Sequence, residues 1–593
     1  MDRHAPPPPP LEMAAGGDRL SKLEDEVLGH ILSFLPAREA ARASSLSSRW
    51  RHVFAAVHTV SMAETDADHP AIRGYVSPSY RRGLDPLAPP VFSAVVTTAL
   101  LSRHRRLHRR PVPLRALRVD MMGYVRADSA AVDQWVSYAV QQAAADHGLE
   151  IDLRLGRPAI CDRAYSLRDG ENIAEDDDDD DDDDDDNAED EQHDNAADDD
   201  DEKQEARDRS PSPARRAPSH SPSSSDYDDD VASSDDKKVR GYTPVFRPWR
   251  PVHTIPSMLF SCAVLRSLTL GSCGFALPAT VALPSVETLV LSHVKGPASD
   301  VQRLVSGCPR LADLTLEACG AVTAVTILGG ARLRRLAIRC CHRLAAVAVD
   351  ASELHTFEYR GAVPRSRDFL TLHHGDADAR RRRGIACCHV DICGKEATSE
   401  EELTGLRRFL QLFADDATHL HLQSARLGAG ADKDALASFP TFPNLRHLEL
   451  WGSLPDDDAA AAVTTVTTIL NSTPGLEALS LVFHPHGNGD GDSYSQNELR
   501  DAHQLRYNPH AVLAAAAGAM VVPCLRSTVR EINLVHYQGG MAQRSLAKFL
   551  LCNAPAIAEL FCVSAEGPLF MLEQLKQELR GWLMNKSAKT CFR

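Results

Sequence analysis

Four segments decide the fold: Leu265-Arg-Ser-Leu268-Thr-Leu270-Gly-Ser-Cys273, Val286-Glu-Thr-Leu289-Val-Leu291-Ser-His-Val294, Leu311-Ala-Asp-Leu314-Thr-Leu316-Glu-Ala-Cys319 and Leu333-Arg-Arg-Leu336-Ala-Ile338-Arg-Cys-Cys341. A fainter copy follows at Leu354-His-Thr-Phe357-Glu-Tyr359, and the five start positions are 21, 25, 22 and 21 residues apart. Later copies stand at Leu445-Arg-His-Leu448-Glu-Leu450 and Leu476-Glu-Ala-Leu479-Ser-Leu481. Apolar residues two positions apart point to the same face of a short strand. The leading leucine closes the preceding turn, and the final cysteine turns inward where the chain leaves the strand. No such unit buries its own apolar face, so the copies must stack, each completing the core of the last.

The form L-x-x-L-x-L-x-x-C at this spacing is that of leucine-rich repeats. The expected fold class is therefore α/β, a leucine-rich-repeat solenoid (horseshoe), over residues 240–505. An ordinary α/β domain with coincidental leucines is the competing reading. Turn residues precede several strands, at Gly307-Cys-Pro309, Pro443-Asn and Pro474-Gly475. Upstream, Leu114-Arg-Ala-Leu117-Arg-Val119 and Leu149-Glu-Ile151-Asp-Leu153-Arg-Leu155 alternate and read as strands, with a helix over Ser129–His147 between them. Residues 59–167 thus read as the first strand/helix repeats. The stretch Val363–Leu412 breaks the pattern.

Charge divides the chain. The 593 residues carry −17, yet 31 acidic and 5 basic residues between Asp169 and Asp236 account for −26 and leave +9 for the rest. Residues 168–239 hold eleven consecutive aspartates (Asp176–Asp186), a Ser/Pro/Arg run and a second acidic cluster. So few apolar residues cannot offset the entropy of ordering, and a disordered acidic insert is expected. Residues 1–17, with Pro6–Pro10, read as a disordered leader. They lack the apolar stretch of a secretory signal, and no segment reaches the ~18 apolar residues of a membrane helix. Fourteen cysteines then suit a reducing compartment. The expected localisation is intracellular, nucleus and/or cytoplasm, with no membrane partner.

Between leader and repeats lies a compact helical signal. Val27, Leu28, Ile31, Leu32 and Leu35 line a helix, Asp25 and Glu26 sit in its first turn, and Pro36 stops it. Short helices are expected over Arg38–Leu46 and around Ser48–Val57, the latter carrying Trp50. Three such helices bury little by themselves and need a neighbouring domain or a partner.

The stretch Leu20-Ser-Lys-Leu23-Glu-Asp-Glu-Val27-Leu-Gly-His-Ile31-Leu-Ser-Phe-Leu35-Pro36, with Leu46-Ser-Ser-Arg-Trp50, resembles an F-box, placed at 18–58. One departure is Glu24, where that family usually has proline. The rest resembles the plant F-box/leucine-rich-repeat group, whose repeats open on segments like Ile255-Pro-Ser-Met-Leu259-Phe-Ser-Cys262-Ala-Val-Leu265. The tail, 506–593, resembles the FBD module at Val529-Arg-Glu-Ile532-Asn-Leu534, Tyr537-Gln-Gly539-Gly and Lys548-Phe-Leu-Leu-Cys-Asn553.

The resemblance implies a non-catalytic substrate-recognition adaptor of an SCF-type (Skp1–cullin–F-box) ubiquitin ligase. It would dock a Skp1-like adaptor, and through it a cullin, and hold an unknown protein substrate on the repeats. The docking anchors it implies are Leu20, Leu23, Val27, Leu28, Ile31, Leu32, Leu35, Pro36, Leu46 and Trp50, with Leu32 and Trp50 also packing the unit itself. Thr269, Val290, Thr315, Ala337 and Glu449, between the repeat leucines, would be exposed to a substrate. The alternative is a leucine-rich-repeat protein-binding scaffold without a ligase role, its docking face disabled by Glu24. An acidic tract serving histones is a further reading.

Other chemistry is weakly signalled. No P-loop, G-x-S-x-G or H-E-x-x-H occurs, so no enzyme is expected, and no cofactor. Cys387-Cys388-His389 with Cys393 lacks paired zinc-ligand spacing, Cys340-Cys341-His342 is absorbed by the repeat register, and no metal is expected. The basic cluster Arg103-His-Arg-Arg-Leu-His-Arg-Arg110 reads as a localisation element, a phosphate-binding patch or a solvated helix end. It lacks interleaved aromatics, and nucleic acid is not an expected partner.

Overall fold

In a computed structural model, the chain is described at residues 20, 22–45, 50–64, 91–104, 112–158, 160–161, 252–328, 332–373, 384–393, 400–426, 439–454, 459–483, 504–513 and 521–593. The leader, the acidic insert with its Ser/Pro stretch, Leu46, most of the basic cluster and Arg380–Arg383 lie outside these residues.

The repeat pattern becomes one open, fifteen-stranded sheet whose neighbours follow in chain order. It begins at Thr59–Ala63, Ala116–Asp120 and Leu149–Arg154, runs through Leu265–Gly271, Thr288–Ser292, Asp313–Glu317, Arg335–Arg339 and Thr356–Gly361, and ends at Lys589–Phe592. Every pairing is parallel. Parallel strands need a crossover between them. The first two crossovers contain the helices Phe92–His104 and Ser129–Gln142, whereas those after Asp313–Glu317, Arg335–Arg339 and Thr356–Gly361 run through a second parallel sheet, Ala324–Ile327, Ala346–Asp350 and Leu370–His373. Several later ones are helices, including Glu400–Gln411, Ala459–Asn471, Met541–Asn553 and Leu569–Trp582.

Where strand returns give way to helices, the core is filled by larger side chains. Phe357, Tyr359, Phe369, Phe409 and Phe413 meet with ring centroids between 5.1 and 6.1 Å. A helix stands farther from the sheet than a strand does, and aromatics fill that depth without a cavity.

Both apolar residues of each L-x-L are buried, as at Leu268/Leu270, Leu289/Leu291, Leu314/Leu316 and Leu336/Ile338. Two residues later the chain takes a left-handed turn at Ser272, His293, Ala318, Cys340 and His536. Four of these strained residues donate their backbone N–H to the carbonyl of Ser292, Glu317, Arg339 or Arg360 in the next copy, at 2.6–2.9 Å. The turn delivers the next side chain inward, so Cys273, Cys319 and Cys341 are buried as the register requires, and burial pushes the Cys273 thiol up to about 12.

Val363–Leu412 is not a true interruption. Cys387–Ile392 takes its place in the sheet, in register with Thr356–Gly361 and His419–Arg426. The copy reads Ile385-Ala-Cys-Cys388-His-Val390, with cysteine in a leucine position. In the tail, Glu531–Tyr537 and Glu559–Ser564 continue the same sheet. A half-buried ion pair braces this end: the buried Arg544 meets Glu578 at 2.7 Å and lies 4.9 Å from the Tyr507 ring centroid.

The N-terminal unit is two α-helices, α1 (Asp25–Leu32) and α2 (Ala37–Ser45), followed by a 3₁₀ segment Trp50–Ala56 in place of the expected third helix. It shares one hydrophobic core with the sheet. Arg103 is part of this junction, not of a solvated basic face. It is buried and donates to the Val57 carbonyl (2.7 Å), the Val112 carbonyl (2.9 Å) and the Tyr138 hydroxyl (3.0 Å).

Candidate functional site

Two surfaces are candidates. The first is α1, which is apolar on two sides. Leu28 and Leu32 face inward, fully buried against the molecule's own core. Gly29 lies against the 3₁₀ segment so closely that a Cβ would stand 2.5 Å from the Ala56 carbonyl oxygen. On the other side Leu20, Val27, Ile31 and Leu35 are exposed, as is Pro36. Leu23 and Trp50 are half-buried against the core. Of the ten anchors expected from sequence, then, Leu28 and Leu32 have no surface to offer a partner, five are open, two are intermediate, and Leu46 lies outside the described residues.

The most exposed large apolar residue near α1 is not among them. Phe34 is 76% exposed, lies two residues beyond the end of α1 and sets its ring edge-on to His30, centroids 5.0 Å apart. Its place directly before Leu35-Pro36 is the signal in the sequence that marks it.

The stripe is held to the sheet by polar contacts at its base. Ser33 Oγ donates to the Gly29 carbonyl at 2.7 Å and accepts from the His58 N–H at 3.0 Å. His30 Nδ1 and His58 Nε2 are 2.9 Å apart. Burial, with Arg115 and His30 nearby, brings the His58 imidazole down to about 4, so one neutral ring accepts. Glu24 caps α1 with φ −64°, an angle proline also holds, and its side chain makes no capping hydrogen bond.

The second surface is the polar face of the sheet. The residue between each leucine pair forms a continuous ladder: Thr269, Val290, Thr315, Ala337, Glu358, His389, His421, Glu449, Ser480, Asn533. Its early members are not exposed as expected. Thr269, Thr315 and Ala337 are buried, Val290 and Glu449 intermediate. Small side chains sink between taller neighbours, and Arg335 and Arg339 both reach over Ala337 to Glu358, at 2.9 and 2.6 Å.

The later half opens into a cavity of about 420 Å³ lined by Arg335, Glu358, His389, His421, Glu449 and Asn533, among others. His389 and His421 stack with centroids 3.6 Å apart, and His419 and His447 at 4.3 Å. Burial, then the neighbouring His421, brings His389 down to about 4, so the His389 ring is uncharged near neutrality. Burial alone would raise the Glu358 carboxyl, but Arg339 and Arg335 hold it low. The hydrogen bond from His421, aided by Trp451, holds Glu449 low. This set offers directional hydrogen bonds, aromatic faces and fixed carboxylates, which suits gripping a polar protein segment. Within the cysteine group noted in sequence, Cys388 points into the core while Cys387 and His389 face the cavity.

Residues 20–58 match the F-box domain family. Residues 229–379 match the family described as FBD-associated F-box protein At5g56370, LRR repeats. The chain carries an F-box and FBD-associated leucine-rich repeats. Relatives from Arabidopsis thaliana include F-box/LRR-repeat protein At2g42720, 56% identical over 45 residues (8% of this chain, 10% of the relative). F-box/LRR-repeat protein At4g14103 is 35% identical over 75 residues (13% and 20%). F-box/LRR-repeat protein At3g59200 is 49% identical over 49 residues (8% and 9%). The matched segments thus span a fifth or less of these relatives. Among the described residues, no helix is long and apolar enough to cross a membrane.

Proposed function

We propose that the chain is the substrate-recognition adaptor of an SCF-type ubiquitin ligase. In this reading α1, α2 and the 3₁₀ segment act as the three-helix F-box, and the stripe Leu20, Val27, Ile31, Phe34, Leu35 docks a Skp1-type subunit, through it a cullin. The polar ladder from Glu358 to Asn533 lies on the concave side of a horseshoe and holds a protein substrate. Modification is then proximity alone: the substrate is concentrated near a separate, ubiquitin-charged enzyme.

One observation carries this reading. The F-box helix is apolar on both sides, one side buried and the other uncovered. A few exposed apolar anchors grouped on one helix are what dominates affinity in helix-mediated docking.

The test is affinity of the full chain for a purified Skp1-type protein. Val27→Asp with Ile31→Asp should cost about 100-fold or more, two anchors at roughly 2 kcal/mol each being ample, with the melting temperature unchanged. Undiminished affinity in that variant would overturn the docking face. An unaltered chain binding no tighter than about 10⁻⁴ M would favour a protein-binding scaffold with no ligase role.

A further inference from the structure

Because the main strands are parallel and in register, their exits lie along one edge of the sheet. Three exit segments bring together four side chains distant in sequence. Cys340 is the left-handed exit residue after Arg335–Arg339, His342 follows in the next turn, and Cys393 directly follows Cys387–Ile392. Cys161 arrives from farther away, seven residues beyond Arg154. Four strand spacings of ~4.8 Å, about 19 Å, separate Leu149–Arg154 from Arg335–Arg339. Seven extended residues reach about 23 Å, enough to cross the intervening exits.

The sulfur atoms of Cys161, Cys340 and Cys393 and a ring nitrogen of His342 all lie within 4.8 Å of one another. His342 Nε2 is 3.3 Å from Cys161 Sγ and 3.9 Å from Cys393 Sγ. Zinc bonds of ~2.3 Å to sulfur and ~2.05 Å to nitrogen, at tetrahedral angles, would put sulfur and nitrogen about 3.6 Å apart. The two observed distances bracket that value. Cys340 and Cys393 are buried, Cys161 half-buried and His342 exposed, so the cluster has a walled side and a way in.

We propose that Cys161, Cys340, Cys393 and His342 form a structural zinc site of the Cys₃His type. Three sulfurs and one imidazole with no oxygen select Zn²⁺ over magnesium, calcium or manganese. Four protein donors close the coordination shell, which makes the site structural. Hydrogen bonding with Cys393 and burial push the Cys340 thiol up. Binding Zn²⁺ converts three thiols to thiolates, releases three protons to solvent and leaves the complex at −1. The Arg360 guanidinium, which favours the ionised form of Cys340, offsets that charge. Affinity therefore falls as pH is lowered.

The sequence position of Cys161 gives the site its purpose. The aspartate run begins fifteen residues after it. A metal here ties the root of the acidic segment to two repeats of the array, and does so independently of what docks on the F-box.

The experiment is metal analysis of the full chain, purified under reducing conditions and dialysed. One zinc per chain is expected, retained when Asp176–Asp186 is deleted and in Cys552→Ser, an exposed cysteine outside the cluster. His342→Ala, a surface change, should lower zinc retention after mild chelation at least tenfold, and Cys393→Ser should do the same. Replacement by Co²⁺ should give thiolate-to-cobalt charge-transfer absorption, which carboxylates cannot produce. The proposal fails if the unaltered chain neither retains zinc nor develops that absorption with Co²⁺. It fails equally if His342→Ala retains metal as well as the unaltered chain, or if mass mapping finds Cys340 and Cys393 joined as a disulfide.

Discussion

The F-box helix and the repeat strands use apolar residues on opposite terms. In the repeats both members of each pair go inside, and the face between them is polar or small. In α1 the apolar residues divide, Leu28 and Leu32 inward, Val27 and Ile31 outward. Similar composition thus yields a closed core in one place and an unfinished surface in the other. The difference arises from coverage: a strand in the array has a neighbour on each side and crossovers over its apolar face, whereas α1 has a neighbour on one side.

The sharpest way to break the comparison is one truncation in each region. Leu316, fully buried between Leu291 and Ile338, should cost about 2–5 kcal/mol of stability when changed to alanine. Ile31, 39% exposed, should cost within about 0.5 kcal/mol as Ile31→Ala while weakening Skp1 binding. Chemical denaturation of both variants checks this, and equal costs would erase the distinction.

Acidification should affect both regions, by a smaller amount. His58 beneath α1 and His389 on the polar face are each lowered to about 4, against about 6.5 in an unfolded chain. Their neutral forms are the folded ones, so their contribution is complete above about pH 6.5 and is lost as pH falls towards 4. Around His58 stand Arg115, His30, Arg103 and His147; around His389 stand His421, Glu358, Glu449 and Arg339. The melting temperature should fall between pH 7 and pH 5, and His389→Gln should flatten part of that slope.

The smallest effect is expected at Glu24. Its φ already suits proline, so Glu24→Pro should stabilise by about 0.4–1 kcal/mol through the unfolded chain, read as a raised melting temperature. A lowered one would mean that the backbone N–H is needed there.

The array was legible because leucine spacing is imposed directly by strand geometry, as at Leu314 and Leu316. Cys387–Ile392 was hidden since cysteine fills the same buried space as leucine in a pattern search keyed to leucine. Phe34 escapes a helical reading because it lies beyond Leu32, where α1 ends, so no helical spacing places it. The resemblance implies Leu28 and Leu32 as docking anchors, with Leu32 also packing the unit; helical periodicity groups residues on faces without saying which face a neighbour covers, and the structure buries both. The Cys161–Cys393 grouping spans most of the repeat region in sequence and exists only once the strands are stacked, so no local spacing announces it.

The shared core of the helical unit and the sheet has a mechanical corollary. From Thr59–Ala63 to Cys387–Ile392 is eight strand steps, about 38 Å along the sheet at ~4.8 Å each, every step a parallel pairing of described strands. On the proposed reading the molecule would work as a ruler: a guest seated beside His389 would sit at a fixed reach from a partner docked on the α1 stripe. Adding or deleting one repeat would shift that reach in increments of a single strand width.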